Sequence, residues 1–344
     1  MRRAEQRVAP RRPAPPWAWL WAWLERPDDP RRLAALRLGL GAVLTLRLAF
    51  GPYLDLAHQP AALFRPISFL KLLPSMPPPG FVVPAQVLAV AAALLATLGV
   101  GPRVTLPLAW AAALPLVAMT SSLGKTVHND VLLLLALVPL LPAPTGDAWS
   151  LDARAHTGTP ARSWHYGWPV RTAMVVVAGA YFFSGWGKLL HAGPAWVTGG
   201  NLRWVLYGAS DAQGHPNPFA LAVADRAWLA HLLAAATLAL ELGFPLALWR
   251  PRLAWLFVGG AVAMHAGIWL ALRLNYWPMA ATACLVFVDW AALADRLGGL
   301  ERRRGRPACI AANRWHHAQV ERRAGTTTGA TRCRPPSSRT RPPS

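Results

Sequence analysis

Apolar residues run along this chain in eight blocks separated by polar or proline-rich breaks. The blocks are Leu33 to Phe50, Val82 to Val100, Val104 to Leu123, Val127 to Leu141, Pro169 to Trp186, Trp228 to Trp249, Leu253 to Leu272 and Tyr276 to Leu293. At 1.5 Å per residue most of them cover a hydrocarbon core of about 30 Å; the fourth is short and ends in proline. The pattern predicts an all-α polytopic bundle of about eight transmembrane helices.

The breaks differ in character. Gly51 to Gly80 holds Tyr53, Asp55, His58, Arg65, Lys71 and a Met76-Pro-Pro-Pro turn among Leu and Phe, which reads as an external cap or an interfacial hairpin. Trp17-Ala-Trp-Leu-Trp-Ala-Trp-Leu24 is flanked by arginines and prolines, and indole rings prefer the headgroup level, so an in-plane anchor is expected there. Beyond Leu300 the chain is rich in Arg, Thr, Pro and Ser and has little to bury, the composition of a disordered tail. Three regions follow: a basic, Trp-rich segment over 1–31, a transmembrane domain over 32–296, and a basic tail over 297–344.

Composition agrees with a bilayer as the main partner. Of 344 residues 54% are hydrophobic and only 15% charged, more apolar surface than one soluble core of this length requires. The net charge of +20 sits largely at the ends: nine Arg against four acids from Met1 to Arg37, and eleven against two from Glu301 to Ser344. Charge so placed suits retention on the cytoplasmic side and attraction to anionic lipid, and no nucleic-acid recognition motif accompanies it. With the N-terminus inside, alternation puts Arg103, then Arg154, Arg162 and Arg171, then Arg250 and Arg252, and finally the C-terminus on the cytoplasmic face. Cys284, Cys309 and Cys333 form no CxxC pair, His316-His317 lacks a third ligand, and no cleavable signal sequence is apparent, so neither a zinc site nor a redox dithiol is expected.

Chemistry is suggested by the few polar side chains in apolar surroundings. Tyr181, Ser184 and Lys188 stand at i, i+3 and i+7, on one helical face at the outer end of the fifth block. Lys188 either snorkels to the headgroups or is an amine tuned by burial to act as a base. Only Lys71, Lys125 and Lys188 among thirty-five basic residues are lysines, so a readily deprotonated cation is rare in this chain. Glu241 and His265 lie mid-block at depths differing by about 6 Å, close enough to pair across neighbouring helices either as a functional site or as polar glue. His128, Asn129 and Asp130 open the fourth block, where Asn129 or Asp130 suits a helix cap. Arg37 in the first block can snorkel inward, whereas Arg47 is placed to meet an acid or the outer interface.

Taken in order, the Arg37 block, His128-Asn129-Asp130, the Trp149-Ser-Leu-Asp152 turn, Tyr181-Phe-Phe-Ser-Gly-Trp-Gly-Lys188, Trp196-Val-Thr-Gly199, Glu241 and His265 resemble the HTTM family. These are bacterial membrane proteins related to the membrane part of vitamin K-dependent gamma-carboxylase, and the resemblance covers about Arg32 to Leu293. It implies a lysine base at Lys188 that deprotonates a reduced quinone, with His128 the nearest candidate for a second functional residue, and Tyr181, Ser184, Asn129, Asp130, Trp196, Glu241, His265 and Arg37 as pocket or structural residues. The carboxylase continues into a large lumenal substrate-binding region where this chain has a short basic tail. The expectation is therefore a site for a quinone or lipid-like ligand rather than protein carboxylation. The competing reading is a transporter or membrane partner subunit that uses Glu241 and His265 as a proton-sensitive pair.

Overall fold

The computed structural model describes residues 18–124, 129–155, 158, 160–212, 214 and 216–304. The chain divides into two compact units, 1–291 and 292–344. His128, Lys125, Cys309, Cys333, the His316-His317 pair and the tail beyond 304 lie outside the described residues.

Among the described residues there is no β-strand, only two isolated bridges. The helices are α1 (Ala18–Leu24), α2 (Pro30–Ala49), α3 (Tyr53–Ala57), α4 (Pro79–Leu98), α5 (Pro102–Thr120), α6 (Val131–Leu137) and α7 (Trp164–Ala192). They are followed by α8 (Ala195–Thr198), α9 (Asn201–Ala212), α10 (Pro218–Ala224), α11 (Ala227–Gly243), α12 (Pro251–Leu272), α13 (Trp277–Phe287) and α14 (Trp290–Arg304).

Five helices are long and apolar enough to cross a bilayer, or six if Trp277–Phe287 and Trp290–Leu297 form one broken span. They are α4, α5, α7, α11 with its extension to Leu248, and α12. Two of the eight apolar blocks fall outside even the set of six, for physical reasons. The block from Leu33 to Phe50 lies in α2, which is 20 residues long but carries Arg31, Arg32, Arg37 and Arg47. The block from Val127 to Leu141 yields only α6 and a 3-10 turn at Val138–Leu140. Pro139 has no N–H for the carbonyl of Leu135, so the α-helical ladder stops; ten residues reach about 15 Å.

Most of the surface of the spanning helices faces outward although their composition is apolar, the signature of helices whose solvent is lipid. Exposed tryptophans mark both ends. On α12, Trp255 and Trp269 stand fourteen residues, about 21 Å, apart, and Trp228 and Trp249 bracket α11. The protein is accordingly a multi-pass membrane protein.

Local chemistry fixes the helix ends. Asp29 caps α2, its carboxylate accepting the Arg31 N–H at 2.8 Å ahead of Pro30 at the first helical position. At the end of α4 the Gly99 N–H donates to Ala96 and the Val100 N–H to Leu95, closing a Schellman turn that needs the left-handed φ of 75° at Gly99. A Cβ at Gly99 would also strike the Arg37 guanidinium and Ser150. Arg37 is fully buried and does not snorkel as expected: one Nη donates to the Trp149 carbonyl, under a turn whose Leu151 and Asp152 N–H groups bond Leu98 and Gly99.

The main core gathers α2, α4, α5, α6, α7, α12 and α13 around Leu40, Leu44, Leu116, Leu133, Val170 and Phe244. A smaller core joins α9, α10, the start of α11 and the end of α12 through Leu206, Ala220, Val223, Ala230 and Ala271. Asn217 stitches this second cluster. Its Oδ1 caps α10 at the Ala220 N–H (3.2 Å), and its Nδ2 donates to the carbonyls of Leu270 (2.9 Å) and Ala271 (3.0 Å) at the end of α12.

Candidate functional site

At 29 residues α7 is about 44 Å long, more than a hydrocarbon core needs. Lys188 lies ten residues past its midpoint, or about 15 Å along the helix. The 3.6-residue period aligns Tyr181, Ser184 and Lys188 on the face turned to α11 and α12.

Glu241 meets that face. The Lys188 Nζ donates to both Glu241 oxygens at 2.6 Å and to Ser184 Oγ at 2.9 Å, while Ser184 donates to Glu241 Oε1 at 3.0 Å. Trp196 of α8 covers the amine, with its ring centroid 5.4 Å from Nζ. The lysine side chain is 24% exposed and the glutamate 6%. Removing the proton from the amine would leave the buried carboxylate without a counter-charge, so in this state Lys188 is a hydrogen-bond donor.

Two backbone features bring α7 and α11 together here. Gly185 has room for no side chain: a Cβ would lie 2.9 Å from Glu241 Cβ and 3.1 Å from Leu242 Cγ. Pro245 cannot donate to the Glu241 carbonyl, and α11 passes into a 3-10 turn at Phe244–Leu248. That turn buries Phe244 against Tyr181, ring centroids 4.3 Å apart and nearly parallel, with Phe257 and Phe287 at its edges. The Ser184-Gly-Trp-Gly-Lys188 run carries the signal for Gly185, although the spacing of its polar residues does not single that glycine out.

His265 of α12 shares a 2.9 Å hydrogen bond between its Nε2 and the Tyr181 hydroxyl. Its ring also lies 5.9 Å from that of Tyr276. Glu241 and His265 thus take different partners on α7, Lys188 and Tyr181, instead of bonding principally to each other.

Both pairs line one cavity of about 1070 Å³ between α7, α9, α10, α11 and α12. Its wall is otherwise aliphatic and aromatic, including Leu206, Phe219, Val223, Leu240, Phe257 and Met264. Among the described wall residues the formal charges are those of Lys188 and Glu241, which cancel; His265, Tyr181, Tyr276, Ser184, Thr237 and Asn201 supply neutral hydrogen-bonding groups. A large apolar chamber with a few convergent polar groups is the architecture of a site for a small amphiphile.

Arg37, Asn129 and Asp130 are not among the residues of this wall. Asp130 occupies the N-cap position of α6 but makes no capping bond with its side chain; it holds Arg47 through two bonds of 2.6 and 2.8 Å. Asn129 donates to the Asn275 carbonyl at 2.9 Å, tying the start of α6 to the α12–α13 connection. Arg37 belongs to the α4–α5 turn described above. His128 falls outside the described residues. No family model, no curated protein and no solved structure matches this chain.

Proposed function

We propose that this chain is an HTTM-like protein of a bacterial inner membrane that binds an uncharged amphiphile, of the quinone or quinol class, in the cavity headed by Lys188 and Glu241. The observation that carries this reading is the mutual cancellation of the two charges in a chamber whose wall is otherwise apolar. A ligand with a net charge would disturb that balance, whereas the oxygens of a quinone ring can accept from neutral donors of the wall such as Asn201 and Thr237 while its hydrocarbon tail covers Leu240, Met264 and Phe257. When bound, a quinol would supply redox and proton-transfer chemistry; the residues described here bind and orient its head and exclude water from it.

In this reading the N-terminus is cytoplasmic and Lys188 faces outward. The bridge between Asp28 and Ser163 supports only the opposite placement of the two, since it joins the N-terminal segment to the start of α7, the end of that helix opposite Lys188. A carboxylase-like role with Lys188 as the base requires Glu241 first to release the amine, so binding and orientation are the primary functions proposed.

The test is to extract the protein in mild detergent, strip its lipids into organic solvent and identify by mass spectrometry what accompanies it. The wild type should carry a neutral amphiphile in about equimolar amount, and Thr237→Trp, which fills the cavity from a half-buried wall position, should carry far less. Equal retention by both proteins, or failure of added quinone to bind the stripped wild type, would overturn the reading.

A further inference from the structure

A second site lies at the opposite end of α7. Asp28 is buried, 4% exposed, and three guanidinium groups converge on it: Arg32 at 3.0 Å, Arg171 at 3.4 Å and Arg162 at 3.7 Å. Arg171 also donates to the carbonyls of Leu24 (3.1 Å) and Arg26 (2.5 Å), which binds the end of α1 to α7. The neighbouring carboxylate, Asp29, is occupied by Arg31 through a bond of 2.9 Å.

Among the described residues Arg32, Arg162 and Arg171 share the single carboxylate of Asp28, and the chain at the exposed Arg26 joins them through its backbone carbonyl on Arg171. The Arg32 Nε is buried and makes no hydrogen bond. Arg162, at 68% side-chain exposure, and the exposed Arg26 retain donors for an outside anion.

The setting identifies that anion. Helix α1 packs on α7, and its Trp19 and Trp21 are 59% and 57% exposed. Large indoles left open on a short helix whose end is bonded to the start of a membrane-spanning helix belong at the boundary between acyl chains and headgroups. We infer that the arginine cluster around Asp28, with Trp19 and Trp21, is a binding site for the phosphodiester headgroup of an acidic phospholipid. The phosphate accepts from Arg26 and Arg162, and the indoles hold the adjoining acyl and glycerol region.

The test uses the full chain in detergent micelles doped with phosphatidylglycerol or phosphatidylcholine, with retained lipids counted by native mass spectrometry. The wild type should prefer phosphatidylglycerol. Each arginine near an acidic headgroup contributes roughly fivefold, so Arg26→Gln with Arg162→Gln should cut the preference by about 25-fold. Both side chains are exposed, so the fold should survive. The matched control, Arg250→Gln with Arg252→Gln, alters two exposed arginines at the α11–α12 turn and should leave the preference intact. Equal retention of the two lipids by the wild type, equal loss in the control, or full displacement of phosphatidylglycerol by inorganic phosphate would overturn the inference.

Discussion

The Lys188 ammonium sits 2.6 Å from each oxygen of the Glu241 carboxylate, and Ser184 bridges the same two groups from one helical turn away. The two partners are unequally buried, and that inequality predicts unequal consequences of removing them. Lys188→Met strands a carboxylate that is 6% exposed and should destabilise the protein by about 3 kcal/mol. Glu241→Gln leaves an amine on a long stem that is 24% exposed, and should cost about 1 kcal/mol. The double variant should recover most of the loss. Unfolding midpoints in detergent decide this, and equal single-variant losses would contradict it.

Charge cancellation in the cavity also predicts selectivity. Stripped wild-type protein should bind a long-chain alcohol or quinone in preference to a fatty acid of the same length, because the only ammonium in the described wall is already neutralised. Glu241→Gln frees that ammonium and should improve fatty-acid binding by about tenfold, corresponding to one charge-assisted bond of roughly 1.5 kcal/mol. Competition against a fluorescent fatty acid measures both values; an unchanged order of affinity in the variant would remove Glu241 as the selective element.

Gly185 and Gly187 form a matched pair. A Cβ at Gly185 would press on Glu241 and Leu242, so Gly185→Ala should push α7 and α11 apart and cost about 1–3 kcal/mol. Gly187 has nothing within 4 Å, and Gly187→Ala should be neutral or slightly stabilising, since alanine favours helix by up to about 1 kcal/mol. Thermal melts of the two variants side by side provide the check.

Asp29 carries a pH dependence. The hydrogen bonds from the Arg31 side chain hold its carboxyl below the usual carboxylate range. A depressed folded-state value means that the contribution is present above the unfolded value of about 4 and is lost as pH falls through the folded one. Asp29→Ala, which also removes the cap of α2, should cost about 1 kcal/mol at neutral pH and progressively less below pH about 4. A difference in melting point that stays constant into acid would contradict this origin.

What the sequence disclosed of this site was its faces. Tyr181, Ser184 and Lys188 share a side of one helix because of their spacing alone, and Glu241 and His265 are conspicuous as ionisable residues in apolar blocks. Their partnering was not legible. It depends on how far α11 and α12 are rotated and shifted along α7, which Gly185, Pro245 and the Phe244 stack decide through contacts distant in sequence. The same limit applies to Arg37 and Asp130. Periodicity gives their depth, while the turn at Trp149 and the position of Arg47 determine whether each is exposed, capping a helix or enclosed. Span length failed for a local reason at α6, where one missing amide hydrogen ended an otherwise uniform run of leucines.

Asn217 makes the α10–α12 seam of the chamber a latch. One carboxamide closes the start of α10 and binds the end of α12 at once, so parting the helices there breaks both of its bonds to α12 in a single event rather than one after the other. Residence time of a molecule leaving by that route would then be governed by one side chain well removed from the Lys188 ammonium, and shortening Asn217 to alanine would hasten departure without altering what the chamber recognises.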